Sequence, residues 1–144
     1  MILVDSSVWI AYFNGQMNWQ SDLLDALLQT EPVLIGDLIL TEVLQGFRTT
    51  GDFNKVKEFL SFLDLVELGG YQIAVRAALN YRTMRKKGIT VRKTIDVIIS
   101  TYRIENNVYL LHNDQDFIPM EKYLGLPVVI STCQGNPEIG RAHV

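Results

Sequence analysis

An alternation constrains this chain more than any other feature. Short apolar runs of strand length stand at Ile2–Val4, 32–35, 65–68, 108–111 and 127–130. Between them lie segments whose apolar residues recur at helical spacing: 8–13, 19–29, 37–47, 53–63, 71–87 and 94–107. Strands that are apolar throughout are buried on both faces, and alternation with helices implies an α/β fold with a mostly parallel sheet flanked by helices. In such folds ligands bind outside the carboxyl ends of the strands. The residues just after each strand are therefore where chemistry is expected. At 144 residues the chain suits one domain, placed at 1–132, with a Gly-, Asn- and Pro-containing tail at 133–144.

Local punctuation supports these elements. Ser6 or Ser7 is expected to cap the first helix, Asp37 the third and Thr94 the helix that follows it late in the chain. Gly46, Gly51 and Gly88 are expected to close helices. The helix at 71–87 should turn Ile73, Ala74, Ala77, Ala78, Tyr81 and Met84 inward. Trp9, Tyr12, Phe13 and Phe47 form either core or a docking surface, with core preferred.

Composition removes several classes. Hydrophobic residues make up 48% and charged residues 20%, which argues against global disorder. One cysteine, Cys133, gives no internal disulfide and no multi-thiolate zinc site, and His112 and His143 are too few for a histidine cage. There is no run of 18 apolar residues and no basic, apolar leader, so a cytoplasmic protein without a membrane span is expected. The net charge of −3 opposes nucleic-acid binding through bulk charge. Six of the 13 basic residues nevertheless fall within residues 82–93, as Arg82, Arg85, Lys86, Lys87, Arg92 and Lys93.

Three acids stand at or near the places the fold points to, and a fourth, Glu42, lies mid-helix between Leu40 and Val43. Asp5 follows the first strand, Asp114 follows the strand at 108–111, and Asp96 lies in the first turn after Thr94. Taken singly, they read as a helix cap, a turn residue and a carboxylate favoured by a helix dipole. Glu42, within LILTEVLQGF, fits a purely structural role worst. A buried, unpaired glutamate costs several kcal/mol, so it either faces solvent or meets a cation. A divalent cation with hard oxygen ligands, Mg²⁺ or Mn²⁺, would satisfy several of these acids together.

The segments MILVDSSVWIAYF, LILTEVLQGF, RKTIDVIIST and LLHNDQDF, in this order, resemble the PIN-domain nucleases, in particular the VapC-type ribonuclease toxins of toxin–antitoxin pairs. The resemblance spans roughly residues 1–130 and implies a PIN-like three-layer sandwich with an acidic pocket at the strand ends. It implies that Asp5, Glu42, Asp96 and Asp114 are catalytic, that Asp5, Asp96 and Asp114 hold the metal, and that Asp116 is a further metal candidate. Ser7 matches a small polar residue that orients a ligand or water. Ile99-Ser100 departs from the family's more usual alanine, which raises a question of packing rather than of the acids.

The implied activity is Mg²⁺- or Mn²⁺-dependent hydrolysis of RNA, transfer RNA foremost, which would inhibit translation. The implied partners are a VapB-type antitoxin and a second copy of the chain. Arg85, Lys86, Lys87, Arg92 and Lys93 are candidates to track the RNA backbone; a solvated helix end explains them equally well. Two other readings compete. Asp114-Gln115-Asp116 offers the paired aspartates of a haloacid-dehalogenase-like phosphatase, but the first strand ends Asp5-Ser6-Ser7 without a second acid. A non-catalytic RNA- or protein-binding module on the same fold is the other. A phosphate loop is disfavoured, because Asp52-Phe53 stands where Lys-Ser/Thr is required after Gly51.

Overall fold

The computed structural model describes residues 1–131 and 137–140. It has the expected α/β architecture, with seven helices flanking mostly parallel strands among the described residues. The chain forms two compact units. One comprises Met1–Glu67 with Leu111–Asn113, and the other Leu68–Leu110 with Asp114–Val144.

In the first unit, β1 (Ile2–Val4), β2 (Val33–Gly36) and β3 (Asp64–Val66) stand in the order β3-β2-β1. Both pairings are parallel, with Leu3 opposite Leu34 and Ile35 opposite Leu65. Every residue of β1 and β2 is buried, as a strand covered on both faces requires. β3 is different: Asp64 and Leu65 are exposed, and the strand is three residues long. Leu111 rejoins this unit by accepting the Asp5 N–H at 2.9 Å.

Helices α1 (Ser6–Phe13), α2 (Trp19–Thr30), α3 (Asp37–Gln45) and α4 (Thr50–Ser61) complete the unit. Two caps differ from expectation. Asp5, not Ser6 or Ser7, caps α1, because its carboxylate reaches the Ser7 N–H while the serines already lie in the first turn. Gly36 is the cap position of α3; Asp37 is its first helical residue and accepts the Leu38 N–H instead. The aromatic residues form a cluster around Trp9, which is fully buried. Phe13 stacks on Trp9 at 5.8 Å and meets Phe47 and Phe59 edge-on at 6.2 and 5.4 Å. Phe13 and Phe47 remain half-buried, so the cluster is core at Trp9 and surface at its rim.

In the second unit, β4 (Tyr109–Leu111, its last residue counted with the first unit), β5 (Val128–Ser131) and β6 (Pro137–Gly140) stand in the order β4-β5-β6. β4 and β5 are parallel; β6 is antiparallel to β5. β6 lies within the segment expected as a tail, whose residues 133–136 and 141–144 fall outside the described residues. Helices α5 (Tyr71–Lys86), α6 (Thr94–Glu105) and α7 (Ile118–Leu124) belong here, the last preceded by a 3₁₀ turn at Gln115–Phe117. Of the residues expected inward on α5, Ala77 and Met84 are buried, whereas Ala74 and Ala78 are exposed on a groove against α6. Gly88, at φ 76°, takes the left-handed conformation that ends α5.

The Ile99-Ser100 question resolves locally. Both residues are fully buried, and Ser100 Oγ donates to the Asp96 carbonyl at 2.7 Å and lies 2.9 Å from the Met120 sulfur. The hydroxyl thus finds a partner one helical turn back, so a serine fits where the family more often has alanine.

Candidate metal and nuclease site

The acids fall into two constellations, each built inside one unit. In the first, Asp5 emerges from β1 and is only 2% exposed. Its Oδ2 accepts the Ser7 N–H at 3.0 Å and the Ser7 hydroxyl at 2.6 Å. The same Ser7 Oγ accepts the Asn113 N–H at 3.0 Å, so the hydroxyl is oriented by a donor behind it. Glu42, half-buried on α3, accepts the Ser6 hydroxyl at 3.2 Å. Consecutive serines therefore serve two different carboxylates. Ser7 orients Asp5, in keeping with the ligand-positioning role expected of it. Ser6 was not legible as a site residue, since its partner lies 36 positions away.

In the second constellation, Asp96, Asp114 and Asp116 each offer a carboxylate oxygen within 4.8 Å of the others'. Asp96 is 2% exposed, in the first turn of α6. Asp114 Oδ1 accepts the Asp116 N–H at 2.9 Å, an aspartate turn that brings the two side chains together. Lys93 Nζ sits among all three carboxylates. It is 3.1 Å from Asp114 Oδ2, 3.6 Å from Asp96 Oδ2 and 3.8 Å from Asp116 Oδ2. Burial pulls the Lys93 pKa down, but the hydrogen bond to Asp114 and the charges of Asp96, Asp114 and Asp116 outweigh it and hold it well above the usual lysine value.

Lys93 thus stands apart from the other basic candidates. Arg85 and Lys86 are exposed in the last turn of α5, where cations suit the dipole. Arg85 lies over the Tyr81 ring at 5.8 Å, and Lys87 over the Tyr123 ring at 5.7 Å. Arg92 lines a pocket of about 280 Å³. Asp96, Asp116 and Gln115 form polar parts of that pocket's wall, with Met84 and Met120 among the apolar ones. Lys93 is the cap position of α6, without a capping hydrogen bond, and the expected cap Thr94 is the first helical residue.

A hard divalent cation fits the second constellation. Its donors are carboxylate oxygens, they are gathered closely enough to share one ion, and they already surround a positive charge.

The PIN domain family model matches residues 2–122, and the chain belongs to the PIN domain family. Among its relatives, a VapC ribonuclease of Mycobacterium bovis is 29% identical over 120 residues, covering 81% of this chain and 89% of that protein. Ribonuclease VapC11 of Mycobacterium tuberculosis matches to the same extent. Solved structures agree in fold. The VapBC2 complex of Rickettsia felis, bound to a promoter DNA fragment, has a TM-score of 0.66 at 19% identity, covering 81% of this chain and 91% of that one. VapC20 of Mycobacterium tuberculosis, described as a toxin that cleaves the sarcin–ricin loop, has a TM-score of 0.59 at 15% identity, with coverage of 81% and 92%. Membership of this family replaces the haloacid-dehalogenase-like reading. Among the described residues no helix is long and apolar enough to cross a membrane.

Proposed function

We propose that this protein is a VapC-type toxin, a cytoplasmic endoribonuclease that depends on Mg²⁺ or Mn²⁺ and is neutralised by a VapB-type antitoxin. The observation that carries the reading is the cluster of Asp96, Asp114 and Asp116 around one cationic group in a PIN-domain chain. Asp96, Asp114 and Asp116 would hold the metal. When bound, it supplies Lewis acidity, neutralising charge on a phosphate oxygen and acidifying a water toward neutral pH.

The chain's own residues do the positioning. Ser7 fixes the Asp5 carboxylate in one orientation through two hydrogen bonds to Oδ2, and Ser6 gives Glu42 one hydrogen bond from its hydroxyl. Asp5 and Glu42 serve the same hydrolysis, as the family resemblance implies, with Asp5 a metal ligand. No serine, cysteine or histidine nucleophile is called for. Arg92, on the pocket wall beside Asp96, and the exposed Arg85, Lys86 and Lys87 supply positive charge for the RNA backbone. Transfer RNA is the proposed substrate and a homodimer the proposed assembly. The relatives named as VapC ribonucleases support the ribonuclease reading, and the likeness to VapBC complexes supports a VapB-type partner; transfer RNA and the homodimer follow from the family resemblance.

The test is to incubate antitoxin-free protein with total cellular RNA, with Mg²⁺ or with EDTA, and to sequence the new 5′ ends. Discrete cuts in transfer RNA that vanish with EDTA and in Asp96→Asn are expected. RNA held without cleavage under any divalent ion would instead identify a non-catalytic binding module. An antitoxin groove is tested by co-purification with the VapB-type protein and loss of cutting in the complex.

A further inference from the structure

We propose that Lys93 is a built-in placeholder for the divalent cation, a positioning residue that gathers Asp96, Asp114 and Asp116 in the metal-free protein and must yield its place when metal binds. The inference rests on the metal-dependent reading above and adds to it a residue that sets how tightly the metal is held.

Two independent observations carry it. The first is geometric. The ammonium lies 3.1 to 3.8 Å from one oxygen of each carboxylate, so it holds the face on which those three oxygens converge. A metal ligated by the same oxygens, at the roughly 2.1 Å typical of Mg²⁺, cannot share that face with Nζ. The side chain is 45% exposed, so it has solvent to move into.

The second observation is local. Residue 93 is the cap position of α6, extended at φ −129° and ψ 122°, and makes no capping hydrogen bond. Helix caps favour Ser, Thr, Asp and Asn, and a cation at a helix N-terminus opposes the dipole. Lysine is therefore a poor local choice, and threonine, a good one, is next in sequence at Thr94. A broken local rule calls for a compensating gain, and the three carboxylates are that gain. Without Lys93 the three carboxylates would stand close together with one positive charge fewer among them; with it, a single ammonium meets all three. The lysine thus keeps the ligands in register before metal arrives and competes with the metal afterwards.

The experiment measures Mn²⁺ binding by electron paramagnetic resonance, without RNA, on the wild type, Lys93→Met and Lys93→Arg. Lys93→Met is expected to bind Mn²⁺ about 10- to 100-fold more tightly, whereas Lys93→Arg, which keeps the charge, stays near the wild type. Metal-free Lys93→Met should also melt below the wild type, and saturating Mn²⁺ should close that gap. Equal or weaker Mn²⁺ binding by Lys93→Met overturns the proposal while leaving the metal reading intact. Absence of Mn²⁺ binding in the wild type and both variants removes both.

A second measurement covers a Lys93→Met variant that does not fold. In the wild type, the Lys93 ε-methylene resonance should shift on the same Mg²⁺ titration curve as the Asp96 amide. A resonance that stays still while Asp96 responds rejects displacement.

Discussion

The two acid constellations are held by opposite means. Asp5 and Glu42 rest on neutral donors, the hydroxyls of Ser7 and Ser6. Asp96, Asp114 and Asp116 rest on a charged one, the ammonium of Lys93. A hydroxyl fixes where a carboxylate points and leaves its full charge for another partner. An ammonium also cancels charge, and so competes with whatever cation the carboxylates would otherwise take. The first pair is oriented by hydroxyls, whereas the second set is gathered around an ammonium. Loss of a support should accordingly harm the first set and release the second.

The largest effect should come from the carboxylates themselves. Asp96→Asn or Asp114→Asn should lower RNA cleavage by roughly a thousandfold or more, as removal of several kcal/mol of charge stabilisation requires; single-turnover kinetics with a cut transfer RNA measures it. Asp5 adds an internal control. Asn caps helices as well as Asp, so Asp5→Asn should lose activity with little change in melting, while Asp5→Ala should also lose about 1 kcal/mol of stability. Retained cleavage in a destabilised Asp5→Ala would show that this acid is only a cap.

Next come the serines. Ser7→Ala removes the 2.6 Å bond to Asp5 and the acceptor for the Asn113 N–H, and should reduce activity about 10- to 100-fold. Ser6→Ala removes a single 3.2 Å bond to Glu42 and should cost less than Ser7→Ala. The reverse ranking would break the asymmetry between the two carboxylates.

Smaller still is the effect of alkaline pH. The folded Lys93 pKa is raised above 10.5, so the stabilisation this ion pair contributes is fully present below the unfolded value and fades only as pH rises through the folded one. Between pH 7 and 10 the Lys93 ε-methylene carbon shift should therefore stay at its cationic position. Smallest of all, Ser100→Ala should alter melting by only about 0.5 kcal/mol, because a serine bonded to the carbonyl four residues back contributes little to its helix.

Much of the fold was legible because it is written in local pattern. The apolar runs at β1 and β2 and the long helix α5 were placed nearly at their observed bounds. β3 was expected at 65–68 and lies at 64–66; its exposed residues gave no burial pattern to fix the register. Helix α7 went unread because IPMEKYL is only seven residues long and carries a proline in its first turn. At the site, residue type and position after a strand pointed to the acids, and the structure brings Asp96, Asp114 and Asp116 together. The supports were harder to see. Lys93 and Asp96 are three apart, a spacing a helix makes neighbourly, yet the stronger contact to Asp114 spans 21 positions and Ser6 to Glu42 spans 36. Pairings at that separation follow from the path of the chain through space, which no short window of sequence encodes.

The seat of Asp5 depends on two residues that return from far along the chain. Leu111 takes the Asp5 amide and Asn113 orients Ser7, so residues 1–67 alone lack part of what holds this carboxylate. During synthesis the N-terminal portion leaves the ribosome first, with its acid loosely held. This carboxylate therefore gains the Leu111 and Asn113 supports only after more than two thirds of the chain has been made.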